Sequence, residues 1–144
     1  SPGNAEAYLN TDTQSAVRFK DGWVYTGDTV GLCEDGSFEY IGRSDDQVKN
    51  RFGELLYLQE IENAARGIPM LEDNCAIKTD HDIVLAVACA APSDHAPWQE
   101  SIFHQLTEAL GESKLPDRLI RVDQIQRFGN GKTDKRAMRR RLSI

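Results

Sequence analysis

The sequence predicts an α+β fold: a small domain built on a three-stranded sheet packed by helices, preceded by a short β-hairpin segment. Three observations predict it. The run IVLAVACAA at 83–91 is apolar almost throughout, as a central strand covered on both faces is. Residues 58–66 and 97–110 repeat apolar side chains at helical spacing. The first 44 residues instead read as short β pieces separated by turn residues, with few apolar positions among them.

Taken in order, 11–19 has the pattern of a short helix, with Thr11 or Asp12 as cap and Ala16, Val17 and Phe19 as a modest apolar face. Asp21-Gly22 is a turn, and the residues at 23–26 favour a strand. Residues 29–33 and 38–41 form a hairpin around Glu34-Asp35-Gly36-Ser37. So short a sheet is marginal alone and is expected to pack against residues outside this chain. Next comes Asp45-Asp46, read as a junction, followed by a polar loop with basic residues. Leu58, Ile61 and Ala65 fall on one helix face, and Gly67 followed by Pro69 stops that helix. Strands at 74–79 and 83–91 flank an Asp80-His81-Asp82 turn. In the helix at 97–110, Trp98, Ile102, Phe103, Leu106 and Leu110 share a face, and Gly111 ends it. A third strand follows at 119–122. Gly129-Asn130-Gly131 is a loop, and Thr133 is placed to cap a last helix running to Leu142.

The bulk properties narrow the function. A chain of 144 residues is one domain, or one domain and a fragment. No apolar run approaches the roughly 18 residues of a membrane span. The start, Ser1-Pro2-Gly3-Asn4, has neither the basic nor the apolar part of a secretory signal, and without a Met it reads as lying inside a longer protein. Cys33, Cys75 and Cys89 are odd in number and widely spaced, which excludes a disulfide framework and fits a reducing cytoplasm. Cys89, in the apolar run, is expected in the core. His81, His95 and His104 lack metal-ligand spacing. Net charge is −6, yet six of the 17 basic residues and one of the 23 acidic ones fall within 132–141. A basic tail on an acidic body points to a nearby anion. Nucleic acid is not favoured, because no interleaved aromatics accompany the run.

Three short segments have chemical potential. In Tyr25-Thr26-Gly27-Asp28 the carboxylate is placed to accept from a vicinal diol, or simply to cap its own turn. In Gly42-Arg43-Ser44-Asp45-Asp46 the guanidinium offers a fork for phosphate or ribose oxygens, or the stretch is a plain surface turn. In Gly129-Asn130-Gly131-Lys132 the glycines permit close backbone approach and leave the lysine on a mobile arm, or the lysine is merely exposed. The Walker A spacing is absent.

Together and in this order, the segments resemble the C-terminal part of the adenylate-forming superfamily of acyl- and aryl-CoA synthetases, luciferases and nonribosomal peptide synthetase adenylation domains. DGWVYTGD (21–28) is similar to its ribose-binding segment. DGSFEYIGRSDDQVK (35–49) is similar to its hinge segment, GELLYLQEIE (53–62) to the loop and helix that follow, and NGKTDKRAM (130–138) to its terminal lysine segment. The resemblance implies that residues 1–44 are the terminal β segment of a large N-terminal adenylation domain and that 45–144 are a C-terminal lid. It implies that Asp28 holds the ribose hydroxyls, that Arg43 contacts the same nucleotide and that Asp45 is the hinge. It implies that Lys132 is catalytic, and that Lys49, Arg51 and Gly53 belong to the loop that admits the thiol acceptor. ATP, Mg2+ and CoA or phosphopantetheine follow as cofactors and acceptors. The expected partners are the N-terminal domain, a carboxylic acid and a carrier protein, with no nucleic acid and no membrane. Two stretches depart from the family pattern. Arg51-Phe52 stand where a small residue or glycine is usual, and Gln126 and Phe128-Gly129 replace prolines and a threonine. The family's phosphate loop and acyl pocket lie upstream of these motifs, so the 144 residues alone are expected to be inactive. The rival expectation is a non-catalytic, degenerate lid that binds a partner or carrier protein.

Overall fold

The computed structural model describes residues 5–9, 17–89 and 98–144. The chain divides into two compact units, Ser1–Asp45 and Asp46–Ile144.

The first unit is two hairpins. β1 (Phe19–Lys20) and β2 (Trp23–Val24) pair across Asp21-Gly22, both with positive φ (53° and 76°). That is the turn whose twist suits a two-residue hairpin, and Asp and Gly are residues that tolerate it. β3 (Asp28–Leu32) pairs antiparallel with β4 (Phe38–Arg43), from Asp28 opposite Arg43 to Leu32 opposite Phe38. The loop closes when Gly36 N–H donates to the Cys33 carbonyl (3.0 Å) and Cys33 N–H to that of Ser37 (2.9 Å), with Gly36 at φ 83°. Residues 11–16 of the helix expected at 11–19 fall outside the described residues; Val17 and Arg18 are helical, and Phe19 lies in β1 instead.

The second unit opens with a hairpin where a polar loop was expected. β5 (Gln47–Lys49) pairs with β6 (Leu55–Tyr57), and Leu56 on β6 is buried. One inward apolar residue per short strand is too weak a pattern to separate from loop. α1 (Leu58–Arg66) follows directly, with Leu58, Ile61 and Ala65 on its buried face. It ends at Gly67, which stays right-handed (φ −75°) rather than adopting the left-handed cap; its N–H reaches back to the Ala64 carbonyl.

The main sheet has the order β7–β8–β9. β7 (Leu71–Lys78) runs antiparallel to β8 (Ile83–Cys89), and β8 runs parallel to β9 (Arg118–Val122) after a crossover containing α2 (Trp98–Leu110). β8 is central, and Ile83 to Val87 are wholly buried. Its side chains alternate: Ile83, Leu85 and Val87 meet Ile61, Ile102 and Leu106 of α1 and α2, while Ala86 and Ala88 meet Met138 of α3 (Lys135–Leu142) on the opposite face. Fully burying such an aliphatic side chain stabilises by roughly 1.5–3 kcal/mol.

Two expectations are corrected in this unit. Asp134, not Thr133, caps α3: its carboxylate accepts from Ala137 N–H at 2.8 Å, while Thr133 is engaged in a β-bridge with Arg127. Cys75, not Cys89, is the core cysteine. Cys75 faces inward from β7, and Cys89 is half-buried where β8 runs out. Among the described residues no helix is long and apolar enough to cross a membrane.

Candidate functional site

The first unit brings Asp28 and Arg43 together. They are fifteen residues apart in sequence and directly opposite in the β3–β4 register. Arg43 Nη1 donates to Asp28 Oδ1 at 3.2 Å, and Nη2 to the Thr26 carbonyl at 3.2 Å. The pair is about two-fifths exposed, so it adds little stability; its effect is to orient the carboxylate. Asp28 Oδ2 has no hydrogen bond among the described residues.

The turn before Asp28 is itself fixed. Thr26 Oγ1 accepts from Asp28 N–H (3.2 Å), and the Gly27 carbonyl accepts from both Ser44 N–H (2.8 Å) and Ser44 Oγ (3.0 Å). Gly27 has φ 78°, and a Cβ there would run into the Arg18 guanidinium. Arg18, Trp23, Tyr25, Thr26, Asp28 and Ser44 are among the residues that line a cleft of about 600 Å³ on this unit. Asp45 lies in a short 3-10 turn, Ser44–Asp46, at the division between the units.

In the second unit Lys49, Arg51 and Gly53 lie in or beside the β5–β6 turn. Gly53 N–H donates to the Asn50 carbonyl (3.0 Å), Asn50 N–H to that of Glu54 (2.9 Å), and Gly53 takes φ 81°. The loop therefore has the same geometry as that at Gly36. Asn50, almost buried, organises it: Oδ1 accepts from Phe52 N–H and Glu54 N–H (both 2.9 Å), and Nδ2 donates to the Ser113 carbonyl at 2.6 Å. The exposed Arg51 lies over the Phe52 ring (4.8 Å) and 3.8 Å from Asp117. Asp117 in turn accepts from Ile83 N–H at the start of β8. This turn is thus tied to the end of the main sheet where β8 and β9 begin.

Lys132 closes a third hairpin of that geometry, from Arg127 to Thr133. Gly131 N–H donates to the Phe128 carbonyl (2.9 Å), Phe128 N–H to that of Lys132 (2.8 Å), and Gly131 has φ 81°. The lysine is exposed, and its backbone N–H donates to Asn130 Oδ1 at 3.1 Å. Arg127 secures the hairpin. Its Nη2 lies 2.7 and 2.8 Å from the two carboxylate oxygens of Asp73 on β7, Nε donates to Oδ2 at 3.2 Å, and Nη1 donates to the Gly131 carbonyl at 2.9 Å. The hydrogen bonds it donates to the Asp73 carboxylate push the guanidinium pKa above its ordinary value. Asp73 is opposite Ala88, so this hairpin is tied to the end of the sheet where β8 finishes. The two candidate loops of the second unit are therefore anchored at opposite ends of one sheet.

The sequence pattern missed Asn50, Asp73 and Arg127. Asn50 had a local signal, since Asn with Gly three residues on marks a turn. Asp73 and Arg127 are 54 residues apart and had none. Cys75 is wholly buried, and burial, and then the neighbouring Glu62 charge, push its thiol up to about 12, which disfavours the thiolate. Among the described residues no group of three or more His, Cys, Asp or Glu side chains could hold a metal ion.

No family model matches the chain. It is 32% identical over 146 residues to 2,3-dihydroxybenzoate-AMP ligase of Bacillus subtilis, a match that takes in 99% of this chain and 27% of that protein. It is 32% identical over 151 residues to malpibaldin synthetase of Mortierella alpina, covering 95% of this chain and 3% of that one. The crystal structure of the anthranilate CoA ligase AuaEII with anthranoyl-AMP superposes with a TM-score of 0.82 at 23% identity, over 96% of this chain and 27% of that one. The chain thus spans little more than a quarter of the length of the ligases it matches.

Proposed function

Because the chain belongs to the adenylate-forming superfamily, we propose that it is the C-terminal part of an ATP-dependent carboxylate-activating ligase. Residues 1–44 are then the last β segment of the large N-terminal adenylation domain and 45–144 its lid. A substrate carboxylate oxygen attacks the α-phosphorus of ATP, the bond to pyrophosphate breaks, and an acyl-adenylate forms. A thiol of CoA or of a carrier protein's phosphopantetheine then attacks the acyl carbon. A thioester forms, AMP leaves, and the thiol proton passes to solvent.

The anchoring of two loops at opposite ends of one sheet carries this reading. One rigid unit so built can present Lys132 in one orientation and the 49–53 turn in another, with Asp45 as the hinge. Lys132 is the catalytic residue of the first step. Charge builds on the phosphoryl oxygens while an anionic carboxylate approaches, and an ammonium between them offsets the repulsion. Asp28 receives the ribose hydroxyls on the oxygen that Arg43 leaves open, and Arg43 also contacts the nucleotide. Exposed Trp23, Leu32 and Phe38 in the first unit, each 72% accessible, fit a segment that packs on a larger domain. Magnesium would accompany the ATP phosphates, to which the described residues offer no ligand set of their own.

The test uses the full-length enzyme that carries this chain. Lys132→Ala is expected to lower carboxylate-dependent pyrophosphate exchange by about 10²–10³. It should leave thioester formation from added acyl-adenylate intact; an equal fall in both half-reactions overturns the assignment. Asp45→Pro is expected to stiffen the hinge and block the second half-reaction, and undiminished thioester output would move the hinge elsewhere.

A further inference from the structure

We infer that Arg127 is the positioning residue for Lys132, setting where its ammonium can reach by fastening the hairpin to β7. The inference rests on the role proposed for Lys132 and extends it to a residue 54 positions from its partner.

The base of the hairpin is held by buried Ile125 and by Asp134 N–H donating to the Gln126 carbonyl (2.8 Å), but its tip has little else to hold it. Phe128 is half exposed, and Gly129, Asn130, Gly131 and Lys132 are all exposed, so no apolar side chain fastens the loop to the core. Its internal hydrogen bonds give it shape but not place. Arg127 supplies the place. Two of its nitrogens are spent on the Asp73 carboxylate, and the third takes the carbonyl of Gly131, the residue directly before Lys132. The contact therefore runs from a strand of the main sheet to the peptide adjoining the lysine through one planar group. A guanidinium can satisfy all three directions at once, and a lysine ammonium, compact and without a fork, cannot. Lys132 is a long chain, and a shift of its backbone by an ångström is carried to its tip. Displacements of that size can cost a reaction about a hundredfold.

The two half-reactions separate this role from a merely structural one. In the full-length enzyme Arg127→Ala is expected to lower the kcat of pyrophosphate exchange by between about tenfold and a hundredfold, with the KM for ATP little changed. Thioester formation from added acyl-adenylate should hold, because Lys132 takes no part in it. Arg127→Lys should recover part of the loss, and Asp73→Asn, which keeps the shape and removes the charge, should reproduce part of it. If Arg127→Ala fails to fold, Asp73→Asn and Arg127→Lys carry the test. Equal loss in both half-reactions in any of these variants makes Arg127 structural and overturns the inference. So does an unchanged first half-reaction while Lys132→Ala shows its selective loss; the reading of Lys132 then stands without the anchor. If Lys132→Ala shows no selective loss, the reading of Lys132 itself falls, and the inference with it.

Discussion

The two units are made from similar turns and differ in what lies beneath them. Hairpin loops at Gly36 in the first unit and at Gly53 and Gly131 in the second share one backbone geometry, each with a positive-φ glycine and the same pair of closing hydrogen bonds. In the second unit these turns sit over a sheet whose central strand is covered on both faces, and every buried hydrophobic side chain among the described residues belongs to this unit. The first unit has hairpins and no core among its described residues. Trp23, Leu32, Phe38 and Tyr40 there are all at least half exposed. Local hydrogen-bond geometry is thus enough to specify a hairpin but not to stabilise it. That takes apolar area removed from water, and two-stranded sheets cannot supply it alone.

The most forceful way to break this comparison is to remove buried volume from each unit. Ile61→Ala, at a fully buried position of α1, is expected to cost the 144-residue chain about 2–5 kcal/mol. Leu32→Ala, 72% exposed on β3, should stay within about 0.5 kcal/mol. Urea denaturation measures both. A comparable cost for Leu32 would mean that the first unit has an apolar core after all.

Thiol chemistry sharpens the same contrast. Cys33 and Cys89 are half-buried, and Cys75 is buried with its thiol pushed up to about 12. At about pH 8 an alkylating reagent should label Cys33 and Cys89 in the folded chain and reach Cys75 only on unfolding. The sign of the linkage follows. The raised pKa of Cys75 favours the folded state fully below the unfolded value near 9, and that contribution is lost as pH rises towards about 12. Rapid labelling of Cys75 in the folded chain would show that the α3 face of the sheet opens.

The smallest effect is on the exposed loop of the first unit. Asp35 accepts from Ser37 Oγ at 2.6 Å and from Ser37 N–H at 2.9 Å, and these bonds hold its carboxyl below the ordinary 3.8. The slight stability this lends is present above the unfolded pKa and is lost as pH falls through the depressed value. An NMR titration of Asp35 should show the depression, and Ser37→Ala should reduce it. Titration at the ordinary value would mean that the loop does not hold its shape in solution.

Much of this was legible in the residues because it is local. The α1 span, the central position of β8, the turn glycines and the hairpin at Gly36 follow from spacing and from which residues accept positive φ. The β5–β6 hairpin was not, since only Val48 and Leu56 mark its inward side. Asn50 left a turn signal but none of its bond to Ser113. The cap of α3 fell to Asp134 over Thr133 because Thr133 is held by its bridge to Arg127, a contact that reading along the chain does not reveal.

The sequence by itself determined the order of the main-sheet strands and the helices that pack on them, the motifs at Asp28, Arg43, Asp45 and Lys132, and the family they belong to. Periodicity and turn chemistry act over a few residues and are written in the chain. Only the tertiary structure decided that Asp28 and Arg43 oppose each other, that Cys75 is the buried thiol, and that Arg127 and Asp73 fasten the Lys132 hairpin at one end of a sheet whose other end holds the 49–53 turn. Those relations join residues far apart in sequence. Their energies depend on distance and burial, which exist only once the chain has folded.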